Sequence, residues 1–335
     1  MARRREAPRI VKEDRMFRVL SIDGGGIKGI FPAAFLCALQ ESLERPIAEY
    51  FDLIAGTSTG GIIALGLGLG LTPDEILNFY RSNGSKIFPG AQNWITRTQH
   101  YFFTKYRPDP LEIALKSAFG DRLLGHSRKR LVIPSFSARS GKIYVYKTPH
   151  HEHFESDWKR SAVEVGMATA AAPSYFPPYI GSAYIAHLDG GMWANNPTGN
   201  AVAEAIGVLG ASPESIRVLS IGCTSVSQTF TLGTAGLWGW RRKALEAAFS
   251  GQSFGSMGIA ALLVGHSRIR RIDPVVAAGR FSLDDVSSID DLEGLAREYA
   301  REELPGFKVM FDRGPADRFL PFYGPLISEF QPEVR

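Results

Sequence analysis

Two glycine-rich blocks and one acid carry the residue types that nucleophilic chemistry needs. Gly56-Thr57-Ser58-Thr59-Gly60 reads G-x-S-x-G, with a short apolar run before it and a longer one after it. Between a strand and a helix, such a pentapeptide turns sharply. Its small residues let the backbone fold back and leave the serine hydroxyl exposed. The N-terminus of the following helix favours negative charge developing at Ser58. Gly24-Gly25-Gly26-Ile27-Lys28-Gly29 reads G-x-G-x-x-G, and three readings fit it. In one, the glycines admit a dinucleotide pyrophosphate, which asks for an acid at the end of the second strand; here Asp52 stands at the start of that strand and Ser58 follows it. In the second, glycine backbone N–H groups of this block form an oxyanion hole, with Lys28 adding a nearby positive charge. The third is a plain turn.

A serine nucleophile needs a base. In α/β hydrolases the chain order is serine, acid, histidine. Only His266 follows Asp189, in a basic stretch that reads as surface. His187 lies two residues before Asp189, so both point to one side of the same strand. His100, His126, His150, His151 and His153 fall in polar or loop segments and read as solvated. Asp189, opening Asp189-Gly190-Gly191 at a strand end, is the better candidate, because active sites of α/β sheets gather at strand ends. An aspartate before glycine also commonly caps its own turn.

The elements that must hold these residues alternate. Strands are expected at Phe17–Ile22, Asp52–Ala55, Arg130–Ala138, Lys142–Lys147, Ala183–Leu188 and Ile216–Ile221. Helices are expected after Gly29, after Gly60, from Pro73, from Asp109 to Gly120, after Ser161 and from Pro197. Thr72-Pro73-Asp74-Glu75 and Ser161-Ala162-Val163-Glu164 have capping-box spacing. Strand–helix alternation with tight glycine loops predicts an α/β layered domain around a mostly parallel sheet. Residues 224–236 are small and polar and mark the internal boundary; beyond them the chain reads as helices and irregular segments.

Composition narrows the function classes. The 335 residues are 44% apolar and 21% charged, the balance of a globular protein. Cys37 and Cys223 are too few for a disulfide scaffold and have no metal-ligand spacing. The net charge of +4 is accounted for by residues 1–18, with seven bases against three acids. A neutral body argues against DNA or RNA as partner. No apolar run follows Arg3-Arg4-Arg5, so no export signal is expected. The most apolar stretch, Gly60 to Leu71, is twelve residues long, short of the roughly 20 that a span needs, and reads as a buried helix.

Taken in order, these motifs resemble those of the patatin-like phospholipases. Asp23-Gly24-Gly25-Gly26-Ile27-Lys28-Gly29 resembles that family's oxyanion loop, Gly56 to Gly60 its serine elbow, and Asp189-Gly190-Gly191 its acid. Ala170-Ala171-Ala172-Pro173-Ser174-Tyr175-Phe176-Pro177-Pro178 is similar to a segment between them. The resemblance covers residues 17–222. It implies a three-layer α/β/α sandwich and a Ser–Asp dyad in place of a triad. Carried over, Ser58 is the nucleophile, Asp189 the base, and Gly24, Gly25 and Gly26 line the oxyanion hole. Lys28 stands where the family often has arginine, which keeps the charge and loses the planar fork. No metal or catalytic cofactor is implied, and the substrate is an ester of a membrane glycerophospholipid. Residues 1–16 then form a basic arm, 17–222 the catalytic domain, and 223–335 a C-terminal extension packed on it.

Within the family, the N-terminal block and Ser82-Asn83-Gly84-Ser85-Lys86-Ile87-Phe88 most resemble bacterial antiphage phospholipases that cyclic dinucleotides switch on. That implies a cytoplasmic enzyme working peripherally on the inner membrane, silent until activated, and a homo-oligomer whose assembly a ligand can induce. An anionic activator needs bases, and Arg128-Lys129-Arg130, Arg241-Arg242-Lys243 and Arg268-Arg270-Arg271 are the candidate clusters. Aromatic residues 88–107 suit an acyl chain or an ordinary core. Leu237-Trp238-Gly239-Trp240-Arg241-Arg242-Lys243 has the composition of a membrane-interface contact and equally suits a helix packed on the domain or a subunit contact.

Overall fold

Two apolar six-residue strands, β1 (Phe17–Ile22) and β7 (Ile216–Ile221), set the centre of the molecule. The computed structural model describes residues 15–89, 104–226 and 237–324, with side chains for all but 237–246 of these. β1 and β7 pair in parallel along their full length. β2 (Leu53–Gly56) joins the other edge of β1, β3 (Arg130–Ser137) joins β2, and β9 (Ile269–Ile272) joins β7, all parallel. These strands are apolar on both faces because both faces are covered. Val19 and Val218 face one core, while Leu20 and Leu219 face the other.

The larger core lies under α1 (Ile30–Gln40), α2 (Thr59–Gly68), α3 (Pro73–Ile87), α4 (Asp109–Phe119), α5 (Ala162–Ala170) and α9 (Ile289–Phe311). The smaller lies under α7 (Thr198–Gly207) and α8 (Leu237–Val264). The result is the three-layer α/β/α sandwich with a mostly parallel sheet that the sequence predicts. α2, read as buried from its composition, is buried at every position.

β3 breaks the parallel pattern, and this break places the site. β4 (Lys142–Lys147) runs antiparallel along one edge of β3, from Val132 to Ser137. Two strands share the opposite edge. β2 pairs with Arg130 to Val132 in parallel, and β6 (Ala186–Asp189) pairs with Ser135 to Ser137 antiparallel. Running toward each other on one edge, β2 and β6 bring their C-terminal ends together across a gap at Ile133 and Pro134. Proline, lacking an N–H, is tolerated where no ladder partner is present. The end of α5 fills the gap: Ala171 and Thr169 carbonyls accept the N–H groups of Asp189 and Gly190 at 2.9 and 3.2 Å. A short β5 (Tyr179–Ile180) pairs with β6, and β8 (Ser225–Val226) pairs with β10 (Val275–Val276).

Several expectations need correction. Thr72 and Glu75 make the full capping box. At Ser161 only half forms: its hydroxyl accepts the Glu164 N–H at 3.0 Å, but the Glu164 carboxylate lies toward Arg160. The stretch after residue 224 is not only helical and irregular, since β9 extends the central sheet. Its two central arginines hid it in the sequence; in the fold Arg270 pairs with Glu303 and Arg271 with Asp23. Within the expected basic arm, Arg15 is not free in solvent but pairs with Asp317. Just after the arm, Arg18 is 1% exposed and donates to the carbonyls of Phe311, at the end of α9, and Gly314, beyond it. The rest of the arm, residues 1–14, lies outside the described residues, as do Trp94, Tyr101, Phe102 and Phe103.

Candidate active site

Ser58 sits between β2 and α2 with φ 55° and ψ −121°, a conformation that side-chain-bearing residues rarely adopt. The flanking glycines make the turn possible. A Cβ at Gly56 would lie 2.1 Å from the Gly60 carbonyl oxygen, and one at Gly60 would lie 2.3 Å from that of Ile22. Thr57 locks the elbow, donating its N–H to Ile22 at 3.2 Å and its hydroxyl to the Ala194 carbonyl at 2.6 Å. The Ser58 N–H donates to the Thr169 hydroxyl at 3.0 Å, which in turn donates to the Pro134 carbonyl at 2.6 Å.

Across the gap, Asp189 accepts the Gly191 N–H at 2.6 Å, and the Ser58 side chain approaches its carboxylate. Asp189 is 5% exposed. Burial pushes its carboxyl up to about 6, against the opposing pull of Ser58 and of the Gly191 N–H. Gly190 is required by the same close approach, since a Cβ there would meet the Pro134 carbonyl oxygen at 2.3 Å. The structure thus brings Ser58 and Asp189 together.

The histidines lie elsewhere. His187 is buried between the Ser135 hydroxyl, 3.2 Å from Nδ1, and the Tyr146 hydroxyl, 3.0 Å from Nε2. His266 is exposed after the end of α8. His150, read as solvated, is instead buried, bonded to the Thr148 hydroxyl at 2.9 Å and to Glu204 at 3.0 Å. Glu204, 54 positions away in sequence, supplies the polar partner that makes this burial tolerable.

The glycine loop faces this pair. Its first residue, Asp23, is held by both guanidinium nitrogens of Arg271 at 2.9 and 2.6 Å. The Gly24 N–H is taken by the Asn195 carbonyl at 3.0 Å, so it braces the loop instead of facing a substrate. Among the described residues the N–H groups of Gly25 and Gly26 have no protein acceptor. The loop packs tightly: a Cβ at Gly25 would lie 2.4 Å from that of Cys223, and one at Gly26, where φ is +57°, would lie 2.2 Å from the Leu283 carbonyl oxygen. Lys28 is half-buried and donates to the Thr224 carbonyl at 3.0 Å, and loss of hydration lowers it from the ordinary lysine value. Its charge lies behind the loop, fixed to the end of the β7 side.

Thr169, Asn195 and Arg271 were missed as site residues. Thr169 sits in an alanine-rich helix with no local signal, and Asn195 was one of two asparagines after a glycine turn. Arg271 was counted in a basic cluster. Of the three clusters, Arg268-Arg270-Arg271 is engaged internally, with Arg268 on the Val264 carbonyl. Lys129 and Arg130 donate to the carbonyls of Phe51 and Asp52, which leaves exposed Arg128 at the surface. The side chains of Arg241-Arg242-Lys243 lie outside the described residues. An apolar cavity of about 200 Å³ is lined by Met167, Ala170, Phe176, Tyr179 and Ala171, whose carbonyl accepts the Asp189 N–H; Ser58 and Asp189 themselves do not line it.

Thr169 binds both halves of the site, Ser58 through its hydroxyl and Gly190 through its carbonyl. Thr169→Val keeps the shape and removes the hydroxyl, leaving the Ser58 N–H and the Pro134 carbonyl without that partner. The expected result is a fall in kcat of about tenfold or more with KM nearly unchanged, and recovery in Thr169→Ser. Lost buried hydrogen bonds of this kind cost about 1–3 kcal/mol. A valine variant with wild-type kcat would show that the elbow holds itself.

An α/β sandwich that seats a strained serine on a strand-to-helix elbow is the frame of an acyl hydrolase. The patatin-like phospholipase model matches residues 20–202, more than half of the chain, and the chain belongs to that family of lipid acyl hydrolases. A cGAMP-activated phospholipase of Pseudomonas aeruginosa (strain BWHPSA011 / Pa011) is 34% identical, over 70% of this chain and 72% of the relative. One of Vibrio cholerae serotype O1 is 30% identical, over 90% of this chain and 96% of the relative. A calcium-independent phospholipase A2-gamma of Homo sapiens is 33% identical, over 57% of this chain and 26% of its own.

Proposed function

We propose that the protein hydrolyses acyl esters of membrane glycerophospholipids through a Ser58–Asp189 dyad, and that a cyclic dinucleotide switches it on in antiphage defence. The approach of the Ser58 side chain to the buried Asp189 carboxylate, at the converging ends of β2 and β6, supports this chemistry. A carboxylate is a weak base for an alcohol, and burial strengthens it. Asp189 takes the hydroxyl proton as Ser58 Oγ attacks the ester carbonyl. The N–H groups of Gly25 and Gly26 stabilise the oxyanion. The proton passes to the leaving alkoxide, the lysophospholipid departs, and water, deprotonated by Asp189, frees the fatty acid from Ser58. The apolar cavity that Ala171 lines suits the acyl chain. Against the dinucleotide-cofactor reading, packing on Cys223 and Leu283 accounts for glycine at positions 25 and 26 without a cofactor.

Support for activation comes from the relatives named cGAMP-activated phospholipase. A cytoplasmic lipase at the inner membrane must be restrained at rest, and a switch needs a ligand that binds one of two states better. Ligand-induced self-association is a fitting output. The test is mass spectrometry of phosphatidylethanolamine–phosphatidylglycerol vesicles incubated with the protein and a cyclic-nucleotide panel that includes cGAMP, with sedimentation in parallel. The expected result is lysolipid and fatty acid released at least tenfold faster with one member of the panel. Equal release with and without every ligand would remove the switch; no release under any condition would remove the phospholipase.

A further inference from the structure

From Ala247 to Val264, α8 contains no charged residue, and it is long and apolar enough to cross a bilayer. Its inner side shows why it lies on the protein instead. Ser256 accepts the Gly199 N–H at 2.9 Å and donates to the Asn196 carbonyl at 2.7 Å, and Gln252 and Ser253 also bond Asn196. Ala260 and Val264 pack into the smaller core. The outer side is apolar and bare. Phe254 is 77% exposed, Ile259 54% and Leu262 88%, and Gly251, Gly255 and Gly258 between them face open space. An exposed apolar stripe of this length marks an interaction surface.

We propose that this outer face of α8 seats the protein on an anionic phospholipid bilayer, with the active site held at the lipid surface. The proposal rests on the phospholipase reading above and names how its substrate is reached. Three observations favour lipid as the occupant. First, the ends of the apolar stretch are cationic: Trp238, Trp240, Arg241, Arg242 and Lys243 precede it, and Arg268 follows it. Tryptophan and basic residues flanking an apolar face match the bilayer interface and its anionic headgroups. Second, both ends carry a net positive charge even with Glu246 counted, which favours an anionic surface over a second copy of the same helix. Third, the helix that carries the face adjoins the site. α8 packs on α6 (Gly191–Ala194), the turn after Asp189, where Met192 is 45% exposed. Asn196, which α8 holds, adjoins Asn195, which holds the Gly24 N–H.

The test is a Phe254→Glu/Leu262→Glu double variant, both positions being open to solvent, with Ile113→Glu on α4 as a control at another exposed apolar residue. Flotation with phosphatidylglycerol-containing vesicles is measured beside sedimentation and hydrolysis of a soluble short-chain ester. The expected result is a vesicle-bound fraction reduced at least tenfold in the double variant only, with sedimentation and soluble-ester hydrolysis within twofold of wild type. Undiminished flotation of the double variant overturns the proposal. So does a shift to a smaller sedimenting species without loss of flotation, which would assign the face to a second copy. Absence of ester hydrolysis in the wild type with every member of the cyclic-nucleotide panel present would count against the phospholipase reading and leave the flotation result standing.

Discussion

Ser58→Ala is expected to abolish ester hydrolysis, by at least about 10³-fold, with the fold unchanged. The effect on chemistry is large because the reaction has no other nucleophile at the converging ends of β2 and β6. The effect on folding is small because alanine inherits the same strained φ of 55°, and the elbow is held by contacts that the hydroxyl does not make. These are the close packing of Gly56 and Gly60, the Thr57 bonds, and the Ser58 N–H on Thr169. The checks are kcat/KM on a soluble ester, labelling by a fluorophosphonate followed by peptide mass spectrometry, and Tm. Wild-type protein is labelled at Ser58 and the alanine variant is not. Activity within tenfold of wild type, or labelling at another serine, would take Ser58 out of the mechanism.

The members of the proposed dyad were legible in the sequence; the reason they meet was not. A serine between glycines and an aspartate before glycines announce themselves by local chemistry, and their strand-end positions follow from apolar runs. Their convergence depends on β6 running antiparallel to β3 on the edge that β2 vacates. Three register pairs decide this, and no local pattern encodes them. Non-local pairing also explains the other gaps. Arg271 looked like one base in a surface cluster because its partner, Asp23, is 248 residues away. His150 sits in a polar run and looked solvated until Glu204 was seen to cover it. α8 escaped notice because glycines and serines dilute its apolar residues, so that its uncharged length shows only when the helix is seen whole. In contrast, Thr72, Gly120 and Ser161 act within their own turns and were read correctly from the sequence as helix ends, the half-formed box at Ser161 excepted.

Asp189→Asn is expected to be nearly as damaging as loss of the serine, by about 10²–10⁴-fold in kcat, because an amide hydrogen-bonds without accepting the proton. Since the two residues act as one unit, the Ser58→Ala/Asp189→Asn double variant falls no further than the worse single one. Two pH signatures separate this from simple structural damage. In the wild type, the ionised carboxylate is the active form, so kcat/KM rises with pH through about 6 and levels above it. The stability signature has the opposite sign. Burial raises the folded-state value above the unfolded one near 4, so this group's stabilising contribution is full below that unfolded value and is lost as pH rises through about 6. Above pH 7 the folded wild type therefore carries a buried charge that costs up to about 3 kcal/mol, and asparagine relieves it. The variant should melt at or above the wild-type Tm at pH 7.5, with the difference shrinking below pH 4. His266→Ala should keep near-wild-type activity and the same pH profile. An asparagine variant that is inactive and also less stable at pH 7.5 would recast Asp189 as a structural acid. Loss of activity in folded His266→Ala would replace the dyad with a triad.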